Sequence, residues 1–334
     1  MTEDPPRPQF GGRYLTQGED VYAHNAWDAV EWDGEQEAEA RATIASRSGP
    51  PAPALHTDLM ENAAEKWDKF YTVHTNKFFK DRHWLFTEFP ELRGLIYTDH
   101  VGGEENTIIN TDHVGGEENT GSDTKVHVRE PMCGVGTGAG MHGMIRVMEV
   151  GCGVGNTLFP ILERTDDVFV YGCDYSQTAI NIVQAHALYN PSRCCAFVAD
   201  ISTPSLDQLP LQKHTLDVIT MIFVLSALNP GDMARCITNL SEYLKPGGYF
   251  LFRDYGRYDL AQLRFKDGRC LSENFYARGD GTKVYFFNQG EVEKLFTDAG
   301  LVKVQSIVDR RLQVNRARKL KMYRVWVQTK FKKL

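Results

Sequence analysis

The chain has 334 residues, of which 42% are apolar and 11% aromatic, enough for a sizeable core, and 37 Lys and Arg against 44 Asp and Glu give a net charge of −7. No run approaches eighteen apolar residues, which excludes a membrane-spanning helix of that kind, and the acidic, proline-rich start Met1-Thr2-Glu3-Asp4-Pro5-Pro6 fits neither a secretory signal nor a mitochondrial presequence, so a cytoplasmic protein with no membrane partner is expected. Seven cysteines without C-x-x-C spacing predict reduced thiols, and no pair of Cys or His has ligand spacing, so no metal site is expected.

In chain order, residues 1–60 read as an N-terminal extension. Gly11-Gly12-Arg13 and Arg47-Ser48-Gly49-Pro50-Pro51 lack apolar periodicity, while His24–Trp27 and Val30–Trp32 offer aromatic anchors for docking on a partner or on the body of the protein. Residues 60–74 predict a helix, because Trp67, Phe70, Tyr71 and His74 fall at i, i+3, i+4 and i+7. The segment Phe78–Phe86 then interleaves aromatic and basic residues, among them Phe79, Lys80, Arg82, His83 and Trp84. Residues 93–144 have a different character. Thr98–Thr107 recurs identically as Thr111–Thr120, and two copies in a glycine-rich, acidic stretch predict a flexible insertion rather than a solenoid.

From residue 145 short apolar runs alternate with helical stretches. Strands are predicted over Ile145–Val150, Val168–Cys173, Cys194–Ala199, Leu216–Leu225 and Tyr249–Arg253. Helices are predicted near Gln177–Leu188, Asp232–Leu244 and Gln289–Ala299, and Lys245-Pro246-Gly247-Gly248 reads as a helix stop. The near-continuous apolar run at 216–225 suits a central parallel strand buried on both faces. Leu301–Val308 and Met322–Thr329 close the chain as two strands with no helix between them. The prediction is an α/β fold, a doubly wound and mostly parallel sheet ending in an antiparallel hairpin, which is the pattern of class I (Rossmann-like) S-adenosylmethionine-dependent methyltransferases. Three regions follow: an extension over 1–92 with its helix, the insertion over 93–144 and the α/β domain over 145–334.

Glu149-Val150-Gly151-Cys152-Gly153-Val154-Gly155-Asn156 sits directly after a predicted strand and opens a helix. Gly151, Gly153 and Gly155 permit a tight turn and the close approach of a ligand to the backbone. Asp174, nineteen residues past Gly155, ends the second strand, where an acid accepts from ribose hydroxyls. Asp200, with Ile201 beside it, ends the third strand within reach of an adenine amino group. A dinucleotide site would want glycine at 156, and the closing hairpin also disfavours a dehydrogenase, so S-adenosyl-L-methionine is the expected cofactor. Cys133-Gly134-Val135-Gly136-Thr137 imitates the loop, but no strand leads into it and it is assigned to the insertion. Trp67 and Tyr71 suit a cover for the cofactor with a cation–π contribution, although spacing alone favours ordinary packing of a helix face.

Methyl transfer from a sulfonium needs an aligned nucleophile with a free lone pair. The sequence has no Asp/Asn-Pro-Pro-Tyr/Phe loop for exocyclic amines and no Pro-Cys nucleophile for cytosine carbon 5. A ring nitrogen such as cytosine N3 carries its lone pair already and demands no strong base. The basic end of the chain suggests an anionic partner. From Lys303 onward there are eleven Lys and Arg against the single acid Asp309, whereas the first fifty residues hold ten acids against four bases. A solvated strand with a lysine tail is the equally weighted alternative.

The motifs Phe79–Trp84, Arg253–Asp259 and Arg310–Arg316, together with Met148–Pro160 and Ile222–Pro230, resemble the tRNA 3-methylcytidine methyltransferases that act on the anticodon loop, and the resemblance covers nearly the whole chain outside the insertion. It implies N3-methylation of cytidine 32 in threonine and arginine tRNAs. It also implies that Trp67, Tyr71, Gly151, Asp174, Asp200 and Ile222 line the cofactor pocket. A protein partner, such as an anticodon-binding-domain protein or a tRNA synthetase, is implied as well. On that basis Phe79, Lys80, Arg82, His83 and Trp84 are expected to stack on bases or meet phosphates of the anticodon stem-loop, with Tyr255, Arg257, Arg311, Asn315 and Arg316 as further substrate contacts. Asp254 is expected to accept from the cytosine amino group while Arg253 or Arg257 holds the base carbonyl or a phosphate. A buried Arg–Asp pair bracing the loop is the alternative.

Overall fold

The structure, a computed structural model, describes residues 12–93 and 144–334. The insertion, with its duplicated segment and the glycine-rich Cys133–Thr137, lies outside the described residues apart from its end positions.

The extension supplies β1 (Ala26–Trp27), α1 (Gly34–Ala45), α2 (Pro53–Glu61), α3 (Ala63–His74) and α4 (Leu85–Glu88). The helix expected over 60–74 is α3, which begins at Ala63 because the chain breaks at Asn62, whose φ of −106° and ψ of 35° are not helical; α2, for which no element was expected, precedes it. The extension docks on the body. Trp27 is buried and pairs through β1 with the last sheet strand but one, while Trp32 lies against Tyr258 and Tyr323.

The α/β domain follows with β2 (Ile145–Val150), α5 (Leu158–Arg164), β3 (Val168–Asp174), α6 (Gln177–Gln184), β4 (Cys194–Val198), β5 (Leu216–Ile222), α7 (Pro230–Ser241), β6 (Leu244–Tyr255), α8 (Leu260–Leu263), β7 (Cys270–Ser272), β8 (Phe275–Ala277), β9 (Lys283–Tyr285), α9 (Gln289–Asp298), β10 (Leu301–Asn315) and β11 (Leu320–Lys333). The large sheet has the order β1-β10-β11-β6-β5-β2-β3-β4. Strands β4, β3, β2, β5 and β6 run parallel, β11 returns antiparallel beside β6, and β10 lies antiparallel to β11 beyond it. This is the class I methyltransferase sheet. Every residue of β5 is buried, as its apolar run requires when helices cover both faces. Met233, Ile237, Leu240 and Phe296 from α7 and α9 fill one face; Leu158, Ile161, Ile180 and Val183 from α5 and α6 fill the other, with Phe86 and Phe89 of the extension.

Two stretches differ from the sequence expectation. Lys245–Gly248 is not a loop but the first part of β6, kinked at Gly247 (φ 84°), with the β5–β6 register shifting alongside it. A Cβ at Gly248 would lie 3.0–3.1 Å from the carbonyls of Lys245, Asp217 and Leu216, so glycine serves close strand packing there. Residues 256–288, for which no element was expected, build α8 and a separate sheet of order β7-β8-β9 around Phe265, Tyr276 and Phe286. Cys152, Cys173, Cys194, Cys236 and Cys270 are buried free thiols. No helix among the described residues is long and apolar enough to cross a membrane.

Candidate functional site

The carboxyl ends of β2, β3, β4 and β5 open into one cleft, the place where a doubly wound sheet binds ligands. Its floor is the turn after β2. Gly151, Gly153 and Gly155 have φ of 64°, 53° and 93°, the left-handed region that favours glycine. Space forbids side chains as well. A Cβ at Gly151 would come within 2.4 Å of Val224, and one at Gly155 within 2.3 Å of Phe159.

Asp174 ends β3 on the cleft wall. Its Oδ2 accepts from the Gly153 amide at 2.8 Å and its Oδ1 from the Ser176 amide at 2.9 Å, so the acid is tied to the glycine turn. Burial pushes its carboxyl up to about 6, against the pull of those backbone donors. Asp200 follows β4 and accepts from the amide and hydroxyl of Ser202 at 2.8 and 2.6 Å, with Ile201 lining the same wall. Helix α3 covers the opposite side with Trp67 and Tyr71, whose rings stack at 6.0 Å and 28°. A Cβ on Gly153 would meet the Tyr71 hydroxyl at 2.7 Å, so this ring lies directly over the turn.

The structure therefore brings Trp67, Tyr71, Gly151, Asp174, Asp200 and Ile201 together on one cleft. Gly153 and Gly155 shape the turn beneath it, and Ile222 is buried at the end of β5, one residue before the cleft-lining Phe223. Sequence reasoning missed Phe223, Asn229 and Lys283. Phe223 carries a φ of 61°, backbone strain of the kind that clusters at functional sites. Lys283 is 4% exposed, donates to Asn229 Oδ1 at 2.6 Å and comes from β9, a segment whose sequence carries no periodic signal.

The aromatic–basic segment is placed differently from its expected role. Arg82 turns inward: its amide donates to the Asn156 carbonyl at 2.8 Å, its guanidinium to Thr157 Oγ1 at 3.1 Å, and it stands 3.6 Å from Glu149. Asp81 accepts from Asn156 Nδ2 at 3.0 Å. The segment thus clasps the glycine turn from below. Burial pushes the Glu149 carboxyl up to about 7, with Arg82 opposing the shift. Lys80 and His83 are exposed, and Phe79 and Trp84 are half-buried.

Asp254 and Arg253, expected to contact substrate, are not among the residues that line this cleft. Asp254 is fully buried; Oδ2 accepts from the Ser226 amide at 2.9 Å and Oδ1 from the Tyr255 amide at 2.8 Å, which leaves it bracing the loop after β5. Adjacent residues on a strand point to opposite faces, and Arg253 is accordingly elsewhere. Its guanidinium lies between the rings of Trp84 (5.1 Å) and Trp326 (4.7 Å), pairs with Asp309 at 2.6 Å and donates to Gln328. The expected alternative of a bracing pair is met with Asp309 as the partner instead of Asp254. Arg257 is held by Glu291 at 2.5 Å, and Arg311 by Asp28, Glu88 and Asp309 at 3.2–3.3 Å. Tyr255 lies 5.0 Å from Phe223, ring to ring; Asn315 is half-buried and Arg316 exposed at the end of the β10–β11 hairpin.

A family model described as a methyltransferase domain matches residues 148–250. Over 331 residues the chain is 52% identical to the tRNA N(3)-cytidine methyltransferase METTL2 of Xenopus tropicalis, spanning 98% of this chain and 95% of that one. Over 354 residues it is 47% identical to METTL2B of Homo sapiens, named as the same activity, with 97% and 93% covered. The tRNA(Thr) (cytosine(32)-N(3))-methyltransferase of Saccharomyces cerevisiae is 39% identical over 328 residues, which span 97% of this chain and 45% of that one.

Proposed function

The chain belongs to the family of tRNA N(3)-cytidine methyltransferases, and from that premise we propose that it transfers a methyl group from S-adenosyl-L-methionine to N3 of cytidine 32 in the anticodon loop of threonine and arginine tRNAs, in the cytoplasm. The observation that carries the reading is the convergence of three left-handed glycines, two strand-end acids and a covering pair of rings on one cleft.

The cofactor's residues fit that group: the glycine turn is a cradle that a Cβ would fill, and Asp174 and Asp200 offer acceptor oxygens on its wall. When bound, the cofactor supplies an electrophilic methyl group. Asp174 would accept from ribose hydroxyls and Asp200 from the adenine amino group. Trp67 and Tyr71 close the cleft against water and present ring faces to a cation. Cytosine N3 already holds the lone pair it uses, so catalysis rests on alignment of that atom more than on a base. Access requires the base to leave its stack, as in other enzymes that work on a nucleobase.

On the tRNA side, Lys80, His83, Phe79 and Arg316 remain available for phosphates and splayed bases, whereas Arg82, Arg253, Arg257 and Arg311 act by bracing the segments that carry them. Residues 1–92 then form a tRNA- and partner-binding extension that also covers the cofactor, and 145–334 the catalytic domain. An anticodon-binding-domain protein or a tRNA synthetase is the proposed class of partner. Nucleoside mass spectrometry of tRNA incubated with the protein and labelled cofactor, with and without cell extract, tests the reading. Label in 3-methylcytidine is the expected result; label in any other nucleoside, or none under both conditions, overturns it.

A further inference from the structure

The cover and the ribose-facing wall of the cleft meet at a single serine. Ser176 lies two residues after Asp174, and its amide donates to Asp174 Oδ1 at 2.9 Å. Its hydroxyl oxygen accepts from the Ala179 amide at 3.1 Å, which caps α6. Its hydroxyl proton goes to Asp68 Oδ1, on α3, and the same oxygen accepts from the Thr178 amide at 3.1 Å. Partial burial pushes the Asp68 carboxyl up, but the donors from Ser176 and Thr178 outweigh it and hold it below the usual carboxylate range.

Asp68 stands beside Trp67 and three residues before Tyr71, the two rings over the cleft. It satisfies donors at the first turn of α6, where the partial positive charge of a helix start also favours a carboxylate. Among the described residues no other side chain of α3 has a hydrogen bond to the α/β domain; its further attachment is packing, of Phe70 and Tyr71 on Val154 and Ala179, of Tyr71 over Gly153 and of Lys66 against Gly281. Apolar contact tolerates sliding and hydrogen bonds fix register, so the placement of the rings depends on this carboxylate.

We propose that Asp68 is a positioning residue for the cofactor: through Ser176 and the start of α6 it fixes the helix that bears Trp67 and Tyr71 over the ribose-binding acid. The assignment rests on the cofactor reading given under Proposed function. Because the link runs through Ser176, the cover and Asp174 are set by one hydrogen-bonded chain and respond together to disturbance of it.

The test compares the full-length parent with Asp68→Ala and Asp68→Asn. Cofactor Kd is measured by calorimetry, KM and kcat with tRNA, and amide hydrogen exchange of residues 63–74 in the ligand-free protein. Loss of a hydrogen-bonded carboxylate predicts a rise of about tenfold in cofactor Kd and KM for Asp68→Ala. A smaller fall in kcat is expected, with faster exchange confined to residues 63–74 and unchanged tRNA affinity. Asn keeps an acceptor oxygen of the same shape and restores most of the affinity. Parent-like Kd and exchange in Asp68→Ala overturns the assignment while leaving the methyltransferase reading intact; so does faster exchange throughout the α/β domain in both variants, which marks a merely structural role. A parent that binds no cofactor instead removes the methyltransferase reading itself.

Discussion

The Arg82 guanidinium stands 3.6 Å from the Glu149 carboxylate, which is 1% exposed beneath the glycine turn. Removing one member of a buried pair strands the other. Burial holds the Glu149 carboxyl at about 7, above its ordinary 4.5. Between those two values the folded protein keeps a proton that the unfolded chain has released, so this group's contribution falls as pH rises through the window and its penalty is complete above pH 7. Arg82→Ala deepens the penalty. Denaturant unfolding at pH 5 and pH 8 is expected to show a loss of about 3 kcal/mol at pH 8 and a clearly smaller loss at pH 5. Equal losses at both would show that Arg82 does not act through this charge.

Asp174 titrates near 6, raised by burial, and only its ionised form offers every acceptor site to the ribose hydroxyls. Cofactor affinity should therefore climb as pH rises from 5 to 7 and level off above. Asp174→Asn should weaken binding by about tenfold or more and flatten the profile. Calorimetric titration across that range checks both; a flat profile in the parent contradicts the role given to this acid.

Gly151→Ala combines a positive φ with a Cβ placed 2.4 Å from Val224. The side chain it would displace lines the cleft. Loss of cofactor binding by at least about tenfold is expected, with destabilisation of about 1–3 kcal/mol. Thermal denaturation with and without cofactor separates the two, since a variant that cannot bind loses the ligand-induced rise in Tm.

The order of the α/β domain was legible because its pattern is local. The apolar run of β5, the turn Glu149–Asn156 and the acids Asp174 and Asp200 each announce themselves within a few residues. The closing hairpin was legible for the same reason, although its strands run further than their apolar cores. The roles of Arg82, Arg253, Arg257 and Arg311 were not, because an arginine beside aromatic residues reads alike whether its partner is a phosphate or a carboxylate from a distant strand. Glu149, Asp309, Glu291 and Glu88 supply such partners, from positions 34 to 223 residues away for the Arg257–Glu291, Arg253–Asp309 and Arg311–Glu88 contacts. Lys283 and Asn229 were missed because β9 is three residues long and carries no period to read.

Arg311 and Arg316 look equivalent in sequence and differ in surroundings. Arg311→Glu places a fourth acid beside Asp28, Glu88 and Asp309 and should lower Tm sharply. Arg316→Glu, at the exposed hairpin end, should leave Tm unchanged, weaken tRNA binding and shallow its salt dependence by about one unit in the log–log slope. Filter binding at graded salt, beside a thermal scan, tests the pair. Unchanged affinity for Arg316→Glu removes the hairpin end from the tRNA interface.

Five side-chain ties, among others, cross between the N-terminal extension and the α/β domain: Asp68 to Ser176, Asp81 to Asn156, Arg82 to Glu149, Glu88 to Gln328 and Glu91 to Lys330. Each joins a side chain of residues 63–93 to a side chain of the α/β domain, so the two regions hold each other through directed contacts as well as through apolar packing.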